Sequence, residues 1–199
     1  GTMVILHGGN PSGHNLTVYI NSIVNSLISR CAFYSLYPAT EVFRDNVSMI
    51  TYGDDDIGSV RVGCSLYNNI TKSDYINSIG MKYTPPSKEG DHVRYLELGD
   101  VDFLKRHDMY CEELGRRVGV LDLASIFKSL HTRMASTDVT EAEWAGSVVD
   151  GALREFAPRG REFYERMRSE LSAVATVHNF HLHSINLSCD YDEMIEKIA

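Results

Sequence analysis

Val47-Ser48-Met49-Ile50-Thr51-Tyr52-Gly53-Asp54-Asp55-Asp56-Ile57-Gly58-Ser59-Val60-Arg61-Val62 reads as two strands joined by a tight turn. The runs 47–51 and 57–62 are apolar and strand-like, and Gly-Asp between them is a routine hairpin turn. Taken alone, Tyr52-Gly53-Asp54-Asp55 fits a plain solvated turn. Its chemical interest lies in adjacent carboxylates on a stiff, solvent-facing tip, where a hard divalent cation can reach them. Two-metal phosphoryl and nucleotidyl transfer needs carboxylates on such elements, with the metals roughly 3.5–4 Å apart.

Working outward, Gly8-Gly9-Asn10-Pro11-Ser12-Gly13 stands upstream, followed by Thr17 and Asn21-Ser22 inside a long apolar-periodic stretch. A Gly-rich loop entering a helix offers free backbone amides to a phosphate or a ribose edge. The ordinary alternative is Ser12 as a helix N-cap, with Thr17 and Asn21 as polar helix positions. Downstream come Gly80-Met81-Lys82-Tyr83-Thr84-Pro85-Pro86-Ser87-Lys88 and then Phe103-Leu104-Lys105-Arg106. In this order and spacing the chain resembles the RNA-dependent RNA polymerases of picorna-like positive-strand RNA viruses, with the marine and arthropod members nearest in flavour. The four blocks are similar to that family's motifs B, C, D and E. The resemblance covers residues 8–107 by motif, and the helical remainder more loosely as the family's thumb.

The resemblance implies an α+β fold: the C-terminal part of a right-hand polymerase palm, antiparallel hairpins packed on helices, over residues 1–118. An all-helical thumb would follow over 119–199. It implies template-directed nucleotidyl transfer to an RNA 3′ end by a two-magnesium mechanism, with Mn2+ as a possible substitute. Asp54 would hold the magnesium that activates the primer hydroxyl, and Asp55 would help shape the metal site. Ser12, Gly13, Thr17 and Asn21 would read the nucleotide and its ribose, whose 2′-hydroxyl is the handle separating RNA from DNA precursors. Lys88 would assist departure of pyrophosphate as a general acid or a neutralising charge, against the reading of an ordinary surface lysine. Lys105 and Arg106 would contact backbone phosphates, which positions RNA without reading sequence, while Phe103 and Leu104 pack their hairpin. Tyr52 is expected to pack and orient the turn, and Asp56 to be an exposed charge that tunes the local field. The implied partners are RNA template and primer, ribonucleoside triphosphates, and the fingers and motif A of the same polyprotein. The implied setting is the host cytoplasm at replication complexes. Because fingers and motif A would lie upstream of residue 1, the chain is expected to be a fragment, inactive alone.

Two rivals remain. A reverse transcriptase also carries a Tyr-x-Asp-Asp hairpin, but it would block the 2′-hydroxyl with bulk rather than meet it with Ser12, Thr17 and Asn21. A non-catalytic RNA-binding or scaffold remnant of a viral polymerase is the reading from another class, and the intact Asp54 and Asp55 weigh against it.

Composition bounds these readings. The 199 residues can bury a core of ordinary size, and 19 Lys+Arg against 27 Asp+Glu give a net charge of −8. That balance argues against unaided RNA binding by this segment, since phosphate recognition draws on basic surface. No apolar run approaches the ~20 residues of a membrane span. Cys31, Cys64, Cys111 and Cys189 are scattered without a C-x-x-C pair and read as reduced thiols. His178, His181 and His183 fit no standard zinc spacing.

The coarse pattern predicts a long, largely buried helix from Ser12 to about Tyr34, then the Asp54 hairpin. A second helix is predicted near 70–79, stopped by Gly80. Residues 81–84 suggest a short strand, and 101–111 another hairpin. After Gly119 only helices are expected. Asp122 would cap the first, and a Thr140–Glu143 capping box the second. The break 158–160 leads to a third with Phe163, Met167 and Leu171 on one face, and a short amphipathic helix starts at Asp190.

Overall fold

The computed structural model describes residues 15–85, 90–133 and 137–199. The chain is mixed α and β, with small antiparallel sheets and helices divided between two compact units, residues 1–97 and 98–199.

In the first unit, α1 (Thr17–Leu36) is followed by α2 (Phe43–Asn46), β1 (Val47–Tyr52), β2 (Asp55–Val60) and α3 (Asn69–Ser78). Apolar residues at helical spacing build α1, and it stops just short of Pro38, before which helical backbone is disfavoured. Its C-terminal end is anchored by an aromatic cluster. Phe33, fully buried, stacks on Tyr37 at 4.7 Å and meets Phe43 and Tyr67 edge-on at 5.4 and 5.6 Å. Such pairs contribute about 0.5–1.5 kcal/mol each beyond area burial.

The rest of α1 corrects an expectation. Only Ser29, Ala32 and Phe33 are buried, whereas Tyr19, Ile23 and Leu27 are more than half exposed. A twenty-residue helix is about 30 Å long, and among the described residues one two-stranded hairpin with two short helices, α2 and α3, covers too little of it. Periodicity showed which residues share the apolar face. It did not show what covers that face.

β1 and β2 pair antiparallel with Tyr52 opposite Asp55 and Val47 opposite Val60. Alternation places Val47, Met49, Thr51, Asp56 and Val60 on one face and Ile50, Tyr52, Asp55 and Ile57 on the other. The first face packs toward the helices. On the second, Ile50 and Tyr52 stay exposed. Asn68 caps α3 through a capping box with Thr71, and Gly80, at φ +79, ends it as expected. The strand expected at 81–84 does not form. Tyr83 stacks instead on His92, ring centroids 5.3 Å apart, and no strand pairs with the segment among the described residues.

The second unit opens with β3 (Asp102–Phe103), β4 (Arg106–Cys111) and β5 (Arg116–Leu121), a three-stranded antiparallel sheet in that order. β5 extends the hairpin expected at 101–111. Among the described residues four α-helices follow: α4 (Leu123–His131), α5 (Glu141–Phe156), α6 (Arg161–Val177) and α7 (Tyr191–Ile198). Asp122 caps α4, and capping boxes at Thr140 and Asp190 start α5 and α7, as their sequences predict. The core gathers Ile126, Leu153, Phe156, Tyr164, Tyr191 and Met194, with Phe163 and Leu171 packed against it. The Asp150 carboxylate accepts from the Ser184 hydroxyl and from the amides of Ile185 and Asn186, pinning the segment before α7. α5 runs so close to the 181–183 turn that a Cβ on Gly146 would lie 2.2 Å from the His183 carbonyl oxygen. The change to helix only comes after Leu121, while the compact units divide earlier, between Glu97 and Leu98.

No described helix is long and apolar enough to cross a membrane. The four cysteines are free thiols.

Candidate active site

The register leaves only Gly53 and Asp54 between the strands. Gly53 has φ +64, and Asp54 is absent from the left-handed region. That is the pattern of a II′ turn, whose twist matches the strands it joins and whose first position favours glycine. Asp54 sits in the turn and Asp55 on the first residue of β2. Both are exposed, and neither enters an ion pair among the described residues.

The turn is held by side chains of α1. The Gly53 amide donates to Ser22 Oγ at 2.8 Å, and Asn25 Nδ2 donates to the Asp54 carbonyl at 2.9 Å. Thr51 Oγ1 adds a bond to the Ser22 carbonyl at 3.2 Å. Ser22 Oγ in turn donates to the Val18 carbonyl at 2.7 Å, which fixes its rotamer. Ser22 and Asn25 are one helical turn apart, so they project together. Neither residue is among the candidates named from the sequence. The readable signal was their placement three residues apart on the helix that carries Asn21.

A second anchor lies under β2. Asp56 and Asp55 point to opposite faces, and Asp56 Oδ2 meets Lys72 Nζ of α3 at 2.7 Å, the two side chains being 11% and 4% exposed. Asp56 is therefore a largely buried ion-pair partner and not the exposed charge its sequence suggested. Burial pulls the Lys72 ammonium below its ordinary pKa, and Asp56 opposes that pull. Lys72 also sits over the Tyr83 ring at 4.7 Å. Burial, and then the Asp56 charge, push the Tyr83 phenol upward, so it stays protonated. Tyr52 is 53% exposed and does not pack beneath the turn.

Thr17 and Asn21 lie half-buried on α1, the helix that grips the turn. Ser12, Gly13 and Lys88 lie outside the described residues. In the other unit, Leu104 and Lys105 form a two-residue turn between β3 and β4 with φ of 56° and 62°. Two non-glycine residues in the left-handed region make this a strained I′ turn. Lys105 is exposed, its Nζ 3.7 Å from Asp102. Arg106 is committed within the unit. Its guanidinium spans the Glu155 carboxylate at 2.5 and 3.0 Å and donates to the Gly119 carbonyl at 2.9 Å. The Glu155 carboxylate raises its already high pKa.

Asp54 and Asp55 fit a hard divalent cation in donor type, being exposed oxygen donors on a fixed backbone. They fit as part of a donor set: no group of three His, Cys, Asp or Glu that could hold a metal occurs among the described residues.

A profile for viral RNA-dependent RNA polymerase matches residues 1–168. The chain belongs to that family. It is 32% identical over 174 residues to the replicase polyprotein of Cricket paralysis virus, covering 83% of this chain and 10% of that polyprotein. Against the replicase polyprotein of Drosophila C virus it is 31% identical over 172 residues, 82% of this chain and 10% of the relative. The RNA1 polyprotein of Tomato ringspot virus is 29% identical over 187 residues, 90% of this chain and 8% of the relative. The chain thus spans about a tenth of the length of the curated replicases it matches. These matches bear out the family, and its picorna-like character, read from the motif order. For a polymerase-family segment, the arrangement is informative in what it groups. Asp54 and Asp55, Thr17 and Asn21 share one unit, whereas Lys105 and Arg106 belong to the other.

Proposed function

We propose that this chain supplies part of the catalytic centre of a viral RNA-directed RNA polymerase that replicates a positive-strand genome. The observation that carries the reading is the Gly53-Asp54 turn, clamped from α1 and presenting two exposed carboxylates. Asp54 and Asp55 are the residues that would hold a divalent cation, magnesium with manganese as a substitute. When bound, such ions supply charge that favours the primer 3′-oxygen as nucleophile and offsets charge on the leaving pyrophosphate. Thr17 and Asn21 with Ser12 and Gly13 orient the incoming ribonucleotide and test its 2′-hydroxyl. Lys88 donates a proton, or its charge, to the leaving group. Lys105 contacts RNA backbone phosphate, which positions RNA without reading its sequence. For Arg106 the same role requires it to serve RNA and Glu155 together or to exchange one for the other.

On this reading residues 1–118 are palm and 119–199 thumb. Fingers and motif A come from other parts of the replicase, and the whole works on RNA template, primer and ribonucleoside triphosphates at replication complexes in the host cytoplasm. The net charge of −8 accords with a segment that relies on those other parts for most of its RNA contact.

The test is primer extension by a replicase carrying this segment together with its fingers and motif A. Ribonucleotide addition that vanishes in Asp54→Ala supports the proposal. Binding of RNA with no extension by the unsubstituted enzyme would instead favour a non-catalytic remnant, and extension with deoxyribonucleotides a reverse transcriptase.

A further inference from the structure

Thr17, Asn21 and Asn25 follow one another at intervals of four along α1, a single ridge of the helix surface. At the end of that ridge the Asn25 amide holds the Asp54 carbonyl, and one residue beyond Asn21 the Ser22 hydroxyl receives the Gly53 amide. We infer that Ser22 and Asn25 are positioning residues that couple ribose reading on α1 to the placement of the Asp54–Asp55 carboxylates. The inference rests on the polymerase reading above and adds a specificity role to two residues whose side-chain bonds go to the turn backbone and, from Ser22, back to α1.

Both bonds end on turn backbone, so they set where the carboxylates start from and leave the side chains free for a cation. The bonds come from a continuous α-helix, which moves as a rigid rod over the single turn separating Asn21 from Asn25. Among the described residues, no other hydrogen bond from outside the hairpin reaches Gly53 or Asp54, and the Thr51 hydroxyl bond to the Ser22 carbonyl anchors the strand beside the turn rather than the turn itself. A shift of a nucleotide against Asn21 is therefore passed to Asp54 with little slack, and a misplacement of about 1 Å at a reacting centre can cost about a hundredfold in rate. A ribonucleotide seated correctly draws the carboxylates into place. One lacking the 2′-hydroxyl does so less well, so discrimination shows in turnover as well as in binding.

Four variants test this in the replicase carrying the segment: Ser22→Ala, Ser22→Thr, Asn25→Ala and, as reference, Asp54→Ala. Two readouts are taken. In the metal-free protein, hydrogen–deuterium exchange over residues 51–55 should quicken in Ser22→Ala and Asn25→Ala and return toward normal in Ser22→Thr, which keeps the hydroxyl. In primer extension, Ser22→Ala and Asn25→Ala should lower kcat for ribonucleotides by about tenfold or more, with RNA affinity unchanged. Because deoxyribonucleotides already lack the coupling, their kcat should fall less, and the ribose preference should narrow. Unchanged exchange in both alanine variants overturns the clamp. An equal fall for both sugars overturns the coupling. Loss of RNA binding in both alanine variants but not in Ser22→Thr would mark a folding role, which also overturns it. An unsubstituted enzyme that adds no nucleotide defeats the polymerase reading itself, and the coupling falls with it, whatever the exchange shows.

Discussion

Gly53 and Gly146 illustrate two distinct reasons for a residue to be small. At Gly53 there is open space around a would-be Cβ, and the constraint is φ +64. Gly53→Ala should cost about 1–2 kcal/mol through backbone strain alone, seen as a lower urea midpoint with an unchanged m-value. At Gly146 the backbone is ordinary and the space is missing, since an added methyl carbon would sit 2.2 Å from the His183 carbonyl oxygen. Gly146→Ala should force α5 away from the 181–183 turn and cost about 1–3 kcal/mol, with faster amide exchange confined to residues 181–187. The first glycine was legible in the sequence, because a Gly-Asp pair between two strands asks for a turn. The second was not, since its cause is a carbonyl 37 positions away in the chain. The position of Asp54 and Asp55 at the hairpin tip was legible for a similar local reason. Asp56 was misread because its surroundings depend on Lys72, sixteen residues on.

Between elements, the Asp56–Lys72 pair fastens β2 to α3. Removing one member leaves the other charged and largely buried, which typically costs about 3–5 kcal/mol. Lys72→Met should therefore destabilise strongly, and adding Asp56→Asn should recover most of the loss. A double-mutant cycle by chemical denaturation measures that coupling directly. Helix starts were the most legible elements, since Asp122, Thr140 with Glu143, and Asp190 bond to amides within three residues of themselves. The segment 81–84 was not legible, because an extended run becomes a strand only when another strand pairs with it. Tyr83 found the Lys72 ammonium and the His92 ring instead.

At the scale of the molecule, the unit 98–199 has its own core and should fold as an isolated segment, with a cooperative thermal transition followed by far-ultraviolet circular dichroism. Tyr164, fully buried there with its hydroxyl donating to the Cys189 carbonyl at 3.0 Å, has its pKa raised by burial from 10.0 to about 12. The folded unit thus holds this proton more tightly than the unfolded chain does. The stability linked to it is complete below pH 10 and is lost as pH climbs toward about 12. The denaturation midpoint should fall across that window, and Tyr164→Phe should shallow the fall. The family was legible from four ordered motifs, whereas the bare apolar face of α1 was not, because its covering is not written in its own periodicity. The same helix carries a constraint on how the segment can change over generations. Each inserted or deleted residue turns everything beyond it by about 100°. Point substitutions between Thr17 and Asn25 can be absorbed one at a time, but a change in length there would carry Asn21 and Asn25 out of alignment in one step. The spacing of that stretch should be far more resistant to drift than its letters.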